Sequence, residues 1–319
     1  MSYSSTWADD PSRSFHVEHA YEDHIQNCPI CGADSQTQAF RTVDTTVSQL
    51  EFCILRCTNC DAHFTNPRPS PKAIGEFYRS NKYISHTNQD KGLVARIYRK
   101  VRSIAVDQKL RLIQQTHHSG KLLDVGCGTG TFLQHAALRG FKVTGVEPSQ
   151  EAGAVAKVTS HAQVHTELSE IPLSEQFNVV TMWHVLEHMH QPAETLSSIR
   201  KHLHADGLLV IAVPNRSSWD ATHFGPAWAA WDVPRHLTHF SEKDLTHLLE
   251  RTGFKIFKTR PMWFDAPYVS ILSEQGKGAG PLVSVLKGGF IGMVSNLIAL
   301  VTSRPTSSTI YLARKAEPS

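Results

Sequence analysis

The chain has 319 residues, of which 40% are hydrophobic and 19% are charged, and its formal net charge at pH 7 is +3. This composition excludes an intrinsically disordered protein, and the length predicts about two domains. The small net charge excludes a strong general attraction to nucleic acid or to an anionic membrane. The amino terminus has no basic start followed by an apolar run, so we expect a cytoplasmic protein.

Two Cys-x-x-Cys pairs follow a polar tail that we place at residues 1–24. Strand-like runs separate the pairs, and a proline-rich stretch closes the module, which we place at 25–71. Four thiolates complete a tetrahedral zinc shell with no open position, so we predict a zinc ribbon holding structural Zn²⁺. His63 could replace one thiolate, although a neighbouring surface histidine is the simpler interpretation. The predicted metal ligands are Cys28, Cys31, Cys57 and Cys60.

Residues 72–118 are predicted to be a helical linker that packs on the next domain. Apolar residues recur there at helical spacing, namely Leu93, Ile97, Val101 and Ile104. The opposite face is rich in lysine and arginine, which we interpret as a solvated surface. A site for phosphorylated substrates is the alternative.

From residue 119 onward, strand-like and helix-like segments alternate. Such alternation implies right-handed crossovers, and therefore an α/β fold whose Rossmann-like, parallel-dominated sheet carries helices on both faces. We expect residues 215–305 to form a lid over an acceptor. The predicted strands cover 121–126, 141–147, 162–166, 177–183, 208–213 and 308–314.

A glycine-rich turn follows the first of these strands. Ligands of open α/β sheets bind beyond the carboxyl ends of the strands, where glycines at 126, 128 and 130 let the backbone approach a cofactor. A dinucleotide fingerprint would need glycine at 131, where the chain has threonine. Asp124 ends this strand and Glu147 ends the next, so the two acids fit a cationic amino group and a ribose.

Four successive motifs resemble those of class I S-adenosylmethionine-dependent methyltransferases: LLDVGCGTG, GVEPS, FNVVTMWHVLEHM and LLVIAVPN. The resemblance covers roughly 119–215 and makes 119–319 the expected methyltransferase domain, with S-adenosylmethionine as cofactor. It implies that the amino-acid end of the cofactor lies on Asp124, Gly126, Gly128 and Gly130, and its ribose on Glu147.

Two further residues are implied to flank the adenine, Glu167 and Leu168, although the aspartate common at this point in the family is absent. The cysteine pairs followed by HFTNPRP, and the later WDVPRHLTHFS, resemble bacterial members with an amino-terminal zinc ribbon. Many of these act on sugars or small metabolites.

The histidine-rich segment after the fourth strand lies at the mouth of the predicted cleft. One interpretation makes His184 a general base for the acceptor hydroxyl. A second uses His184, Glu187 and His188 as metal ligands, because some O-methyltransferases bind a divalent metal through a related E-x-x-E-H pattern. In the third, Glu187 and His188 only tie the loop to its neighbours by hydrogen bonds.

Two more candidate bases, His236 and His239, lie in the predicted lid. Arg235 beside them could bind a phosphate or carboxylate. The aromatic residues Trp228 and Trp231 could stack on a substrate ring or simply form the core of the lid.

The most apolar stretch, Gly288 to Ser303, is shorter than a membrane span of ~20 residues. We predict a buried helix here. The alternatives are a helix at a membrane interface and the lining of a pocket for a greasy acceptor.

Together these features predict methyl transfer to a small-molecule acceptor, such as a sugar or another polar metabolite, at oxygen or carbon. An RNA methyltransferase with a nucleic-acid-binding ribbon is an alternative, but the ribbon has no basic stripe and the Asn-Pro-Pro-aromatic motif is missing. A non-catalytic scaffold is a further alternative, against which the intact cofactor residues count.

Overall fold

A computed structural model describes residues 20–78 and 93–317, and within the first long helix it describes side chains from Ser103 onward. The predicted polar tail therefore lies almost entirely outside the described residues. The strands are β1 (Gln36–Val43), β2 (Glu51–Cys57), β3 (His63–Thr65), β4 (Gly120–Val125), β5 (Phe141–Val146), β6 (Gln163–His165), β7 (Phe177–Trp183), β8 (Leu203–Pro214), β9 (Thr238–His239), β10 (Phe254–Pro261) and β11 (Ser308–Lys315). The α-helices are α1 (Leu93–Gln114), α2 (Thr131–Leu138), α3 (Gln150–Ser160), α4 (Pro192–His202), α5 (Trp219–Phe224), α6 (Glu242–Arg251), α7 (Asp265–Gly276) and α8 (Pro281–Val301).

Seven strands form the large sheet, in the order β10, β11, β8, β7, β4, β5, β6. Strands β4 to β8 pair in parallel, whereas β11 runs antiparallel to both of its neighbours. This confirms the predicted α/β fold with a Rossmann-like, parallel-dominated sheet.

The central strands are apolar because both faces of the sheet are covered. Leu122 and Leu123 on β4 are fully buried, and so is the whole run Leu208–Val213 on β8. Continuous burial of this kind is typical of parallel strands between two helical layers. The helices begin at clear signals: Pro192 occupies the first turn of α4, and Ser241 caps α6 in a capping box with Asp244.

The cysteine-rich module forms a second, antiparallel sheet in the order β1, β2, β3, β9. Its last strand comes from the predicted lid, because His63 and Phe64 on β3 pair with His239 and Thr238 on β9. Side chains of the ribbon and of α6 also share one apolar core. The ribbon and the lid are therefore joined by both hydrogen bonds and packing.

The segment between β10 and β11 folds into the helices α7 and α8, so the predicted helix at 288–303 is present as part of α8. The predicted burial of 288–303 is wrong: in α8 only 28% of the most apolar window is buried. The physical reason is the distribution of small and large side chains around α8. Small residues of α8 face α7, and the large apolar ones face solvent.

The apolar face predicted for α1 is also wrong where it can be checked. Ile104 is 40% exposed, whereas Val106, Leu110 and Ile113 are buried against the sheet. The side chains of the other three predicted positions lie outside the described residues. The helix still packs on the core, through a face that is rotated from the predicted one.

Arg235 forms the strongest polar link between the ribbon and the rest of the chain. Its side chain is 1% exposed, and its Nη2 lies 2.6 Å from Asp232 and 3.0 Å from Asp44. A third partner is the carbonyl of Phe77, which accepts from Nη1 at 3.0 Å. All three directions of the guanidinium are occupied, which contradicts the prediction that Arg235 binds a substrate anion.

We expect the Arg235→Met substitution to lower the free energy of unfolding by about 3–5 kcal/mol, because it leaves the carboxylate of Asp44 buried without its partner. Urea denaturation measures the loss. The matched control is Arg41→Met, which breaks the exposed pair of Arg41 with Glu51 and should cost about 1 kcal/mol or less. If both variants lose the same free energy of unfolding, Arg235 is not a major link between the ribbon and the rest of the chain.

Candidate active site

The glycine turn lies at the switch point of the large sheet. β4 stands between β7 and β5, and the chain leaves it first toward β5 and β6 and later returns to build β7 and β8 on the other side. A reversal of this kind opens a crevice beyond the carboxyl ends of the strands, where ligands of open α/β sheets bind. The turn at 126–130 directly follows β4 and faces this crevice.

Two glycines of the turn are required by close packing. Gly126 and Gly130 have φ angles of 73° and 79°. A Cβ atom at Gly126 would collide with Val185, and one at Gly130 would lie 2.8 Å from the Cα of Ala156. Gly128 is different, since a Cβ there would meet nothing within 4 Å. The backbone at Gly128 therefore leaves open space in which a ligand can approach.

Glu147 holds the turn from the end of β5. Its Oε2 accepts a hydrogen bond of 2.9 Å from the backbone N–H of Gly128, and its Oε1 accepts one of 3.0 Å from Ser149. The carboxylate is therefore fixed beside the open space at Gly128, where it can also accept hydrogen bonds from the hydroxyls of a bound ribose.

Asp124 is 2% exposed at the end of β4, and the hydroxyl of Thr181 donates a 2.6 Å hydrogen bond to its Oδ1. Burial raises the pKa of Asp124 to about 7, against the opposing effects of Thr181 and the nearby Lys109. Without a ligand, the carboxyl group is thus close to half-protonated at neutral pH. A cationic group in the crevice would favour its charged form.

One residue that the sequence interpretation missed, Trp183, lies in the same region. Trp183 ends β7, packs edge-on against Phe132 at 5.3 Å, and lies 4.3 Å from the Nζ of Lys109. Its indole N–H is buried and has no hydrogen-bond partner within the described residues. A buried donor of this kind fits a site whose polar ligand completes the hydrogen bonding. Trp183 lies in the third methyltransferase-like motif, but the spacing of that motif does not indicate that its indole N–H is available to a ligand.

The two predicted adenine contacts follow β6, the edge strand beside β5. Glu167 is exposed, and its Oε2 accepts a hydrogen bond of 3.1 Å from Ser169. Leu168 is partly buried and packs against the core. Both stay predictions as cofactor contacts.

His184 lies between two carboxylates at the mouth of the crevice. Its Nδ1 is 3.5 Å from Glu187, and its Nε2 is 3.3 Å from Asp265, the first residue of α7. Burial opposes a charge on the ring, but these two carboxylates outweigh it and raise the pKa of His184 to about 9. In this arrangement the ring keeps its proton at neutral pH and acts as a hydrogen-bond donor, which argues against the predicted role of general base.

The potential metal ligands that meet are Glu187, His188 and His236, rather than the predicted group with His184. One ligand atom of each lies within 4.8 Å of the others. Nδ1 of His188 donates to the carbonyl of Arg235 and Nδ1 of His236 to that of Ala230, both at 2.9 Å, so each Nε2 is left as the acceptor atom of its ring. Nε2 of His236 lies 3.9 Å from the carboxylate of Asp232. Glu187 is 1% exposed, and neither carboxylate oxygen makes a hydrogen bond within the described residues. This set can hold a water molecule or a divalent cation.

His239 belongs to the ribbon sheet. Its ring is 4% exposed, lies edge-on to Trp231 at 5.1 Å, and has its Nε2 3.1 Å from the hydroxyl of Thr65. Burial and the neighbouring His236 hold its pKa well below the usual value. The ring supports the contact between ribbon and lid. Trp228 and Trp231 are buried as well, which favours the core of the lid over a substrate platform.

The four predicted zinc ligands come together at one end of the ribbon. All four sulfur atoms lie within 4.8 Å of one another, with Cys28 to Cys60 at 3.7 Å and Cys31 to Cys57 at 3.6 Å. Tetrahedral zinc with bonds of about 2.3 Å needs sulfur separations of about 3.8 Å, so the set fits this ion. His63 lies outside the cluster, and its Nδ1 is bonded to the carbonyl of Asp61.

The raised pKa of Asp124 predicts a pH dependence of stability. Its protonated form is favoured by folding, so the wild-type protein should lose up to roughly 4 kcal/mol as the pH rises from about 4 to about 7. Asp124→Asn keeps the hydrogen bond from Thr181 without a titrating charge, and we expect it to be more stable than wild type above pH 7. Thermal unfolding across this range, with exposed Asp206→Asn as control, measures the difference. The prediction is wrong if the difference in stability between Asp124→Asn and wild type stays constant from pH 4 to 8.

Several known proteins are similar to this chain. A ubiquinone biosynthesis O-methyltransferase of Pseudomonas putida is 31% identical over 105 residues, which are 30% of this chain and 45% of that protein. The mitochondrial ubiquinone biosynthesis O-methyltransferase of Schizosaccharomyces pombe is 34% identical over 108 residues, 30% of this chain and 39% of its own length. The chain thus spans less than half the length of these curated relatives.

Among solved structures, magnesium protoporphyrin IX methyltransferase from Synechocystis PCC 6803, crystallised with bound SAH, has the same fold. It matches with a TM-score of 0.51 and 15% identity, covering 77% of this chain and all of that one. The family model for a methyltransferase domain matches residues 96–259, which is just over half of the 319 residues. The chain therefore belongs to the class I S-adenosylmethionine-dependent methyltransferases.

Proposed function

We propose that the protein transfers the methyl group of S-adenosylmethionine to a hydroxyl oxygen of a small-molecule acceptor. The observation that carries this proposal is the open space at Gly128, beside which Glu147 is held at 2.9 Å from the turn. Open space at a glycine turn, next to a fixed carboxylate, fits a ribose-bearing cofactor.

The acceptor class is supported by the relatives. Their names describe O-methylation in ubiquinone biosynthesis, and nothing comparable supports a sugar. They also favour a small acceptor over RNA. These relatives match only part of the chain. We therefore propose hydroxylated precursors of ubiquinone only as the first acceptors to assay.

When bound, S-adenosylmethionine supplies an electrophilic methyl group for in-line displacement, so the chain mainly aligns the reactants and excludes water. We assign Asp124 to the cofactor ammonium and Glu147 to the ribose. On the acceptor side, the protonated ring of His184 directs its two N–H groups to Glu187 and Asp265, so it contributes a positive charge at the mouth of the crevice. His236, whose Nε2 is the acceptor atom of its ring, is left as the group that can accept the hydroxyl proton.

The cofactor assignment is tested by the Glu147→Gln substitution. We expect at least roughly tenfold weaker binding of S-adenosylmethionine, because an amide cannot accept hydrogen bonds from both ribose hydroxyls. Isothermal titration calorimetry measures the affinity, and release of S-adenosylhomocysteine with an acceptor panel measures turnover.

The matched control is Glu151→Gln, an exposed residue in the first turn of α3, which should bind the cofactor like wild type. If wild type binds no S-adenosylmethionine, or if the two variants bind it equally, the proposed site is wrong. Binding without turnover on any acceptor would favour a non-catalytic scaffold.

We further propose that the four clustered cysteines bind structural zinc. The supporting observation is the match between their sulfur separations and a tetrahedral shell. Two backbone turns of the same form place them: the N–H of Cys28 donates to Ala33 and that of Cys57 donates to Ala62, both at 2.8 Å. The side-chain amide Nδ2 of Asn59 also donates toward the sulfur of Cys31 at 3.6 Å, which favours a thiolate there.

The Cys57→Ser substitution tests this site. Elemental analysis of wild type should find about one zinc ion per chain, and the variant should lose it and melt at a lower temperature. Cys53→Ser is the control, since Cys53 lies on β2 outside the cluster. Metal-free wild-type protein with an unchanged melting temperature would show that the ribbon folds without zinc.

A further inference from the structure

Helix α8 has an unusual distribution of side chains. The residues that face α7 are small, and the contact is so close that a Cβ atom at Gly288 would lie 2.5 Å from the Cα of Ile271. A Cβ atom at Gly292 would collide with Pro267. Small residues at every turn are what lets two helix backbones approach this closely. The buried side of α8 consists of Ser284, Gly288, Ile291, Gly292 and Ser295.

The large apolar residues of α8 point the other way. Seven of them are 58–73% exposed, whereas an amphipathic helix of a soluble protein turns such residues to the core. They are Leu282, Leu286, Phe290, Met293, Leu297, Leu300 and Val301. Trp263, Phe264 and Tyr268 at the start of α7 adjoin them and are 40–46% exposed. We call these ten side chains the hairpin face.

The large exposed side chains of α8 recur at spacings of three and four residues from Leu282 to Leu300, so they form a stripe along the helix. A contiguous apolar surface of this kind marks an interaction site. Within the described residues, α8 is the helix whose length and composition would allow it to cross a membrane. It is tied to the protein along its length, however, for instance by the bond from Ser295 to the buried Asp220. A helix held in this way lies along a surface.

The charged residues of the segment that carries the hairpin face are mostly cations. Between Phe254 and Pro305, a segment described throughout, the acids are Asp265 and Glu274. Glu274 is 2% exposed and paired with Lys277 and Lys287, and Asp265 is paired with His184. The cations of the segment are Lys255, Lys258, Arg260, Lys277, Lys287 and Arg304. The segment that carries the hairpin face therefore has an excess of cations over acids, and Arg304 lies just beyond the end of α8.

We propose that the hairpin face lies on the surface of an anionic lipid bilayer, with the apolar side chains inserted among the acyl chains and the cations of the segment near the lipid headgroups. Apolar burial and attraction to anionic lipid are the two terms that bind interfacial helices to membranes. The turn that carries Trp263 and Phe264 continues into Asp265, which contacts His184. The bilayer would thus adjoin the acceptor side of the crevice.

Vesicle flotation of the full-length protein tests the proposal. No methyl donor is added, so the result is independent of the proposed function. We expect the protein to float with vesicles of phosphatidylcholine and phosphatidylglycerol, more weakly with phosphatidylcholine alone, and less at high salt. Combining Leu286→Gln, Phe290→Gln and Leu297→Gln should reduce binding roughly tenfold or more.

The matched control combines Leu138→Gln, Val158→Gln and Leu173→Gln, which alter residues that are 67–81% exposed outside the hairpin face. It should float like wild type, and circular dichroism should show that both triple variants are folded. Arg260→Glu with Arg304→Glu should lose binding to the anionic vesicles.

Three results would overturn the proposal. The wild-type protein could fail to float with anionic vesicles, or the hairpin variant could float as well as wild type. Light scattering could also show a lipid-free dimer that the hairpin variant converts to a monomer, which would make the face an interface between two copies. Equal binding to neutral and anionic vesicles would overturn the requirement for anionic lipid.

Discussion

The buried guanidinium of Arg235 fixes the loop from which the acceptor side of the crevice is built. Its bond to Asp44 joins two segments 191 residues apart, and its bond to Asp232 holds the loop that leads to His236. Immediately after it, the backbone N–H of Leu237 donates to the carbonyl of Glu187 at 2.7 Å. The position of His236 against Glu187 therefore depends on an ion pair between two fully buried side chains, Arg235 and Asp44, which is costly to break.

The ribbon supports the crevice through the same loop. The Cys cluster orders β2 and β3, β3 pairs with β9, and the hydroxyl of Thr65 donates to the carbonyl of His236 at 2.8 Å. A metal that stabilises the ribbon would thus stabilise one wall of the candidate site at a distance. The ribbon therefore has a structural role beside the candidate site, because its strand β3 pairs with β9 of the lid.

The features that could be predicted from sequence are those encoded locally. The glycine turn, the acids that end β4 and β5, and the cysteine pairs each lie within a few residues, where spacing constrains geometry. The contacts His184–Asp265 and Asp44–Arg235 depend on how distant segments meet, which no local pattern reports. Composition identified α8 as an apolar helix. Which side of α8 is buried, however, depends on the small residues that let the backbone of α7 come close.

Burial shifts the pKa values of two titratable groups of the crevice, Asp124 and His184, in opposite directions. Burial raises the pKa of Asp124 to about 7, whereas the ring of His184 keeps its proton only because two carboxylates outweigh its burial. In the proposed complex, a cofactor ammonium beside Asp124 would favour the carboxylate, so cofactor binding would release a proton when the pH is below about 7. The positive charge at His184 stays on the acceptor side, compensated by Glu187 and Asp265. Charge is therefore balanced separately at the two ends of the crevice, and only the cofactor end depends on occupancy.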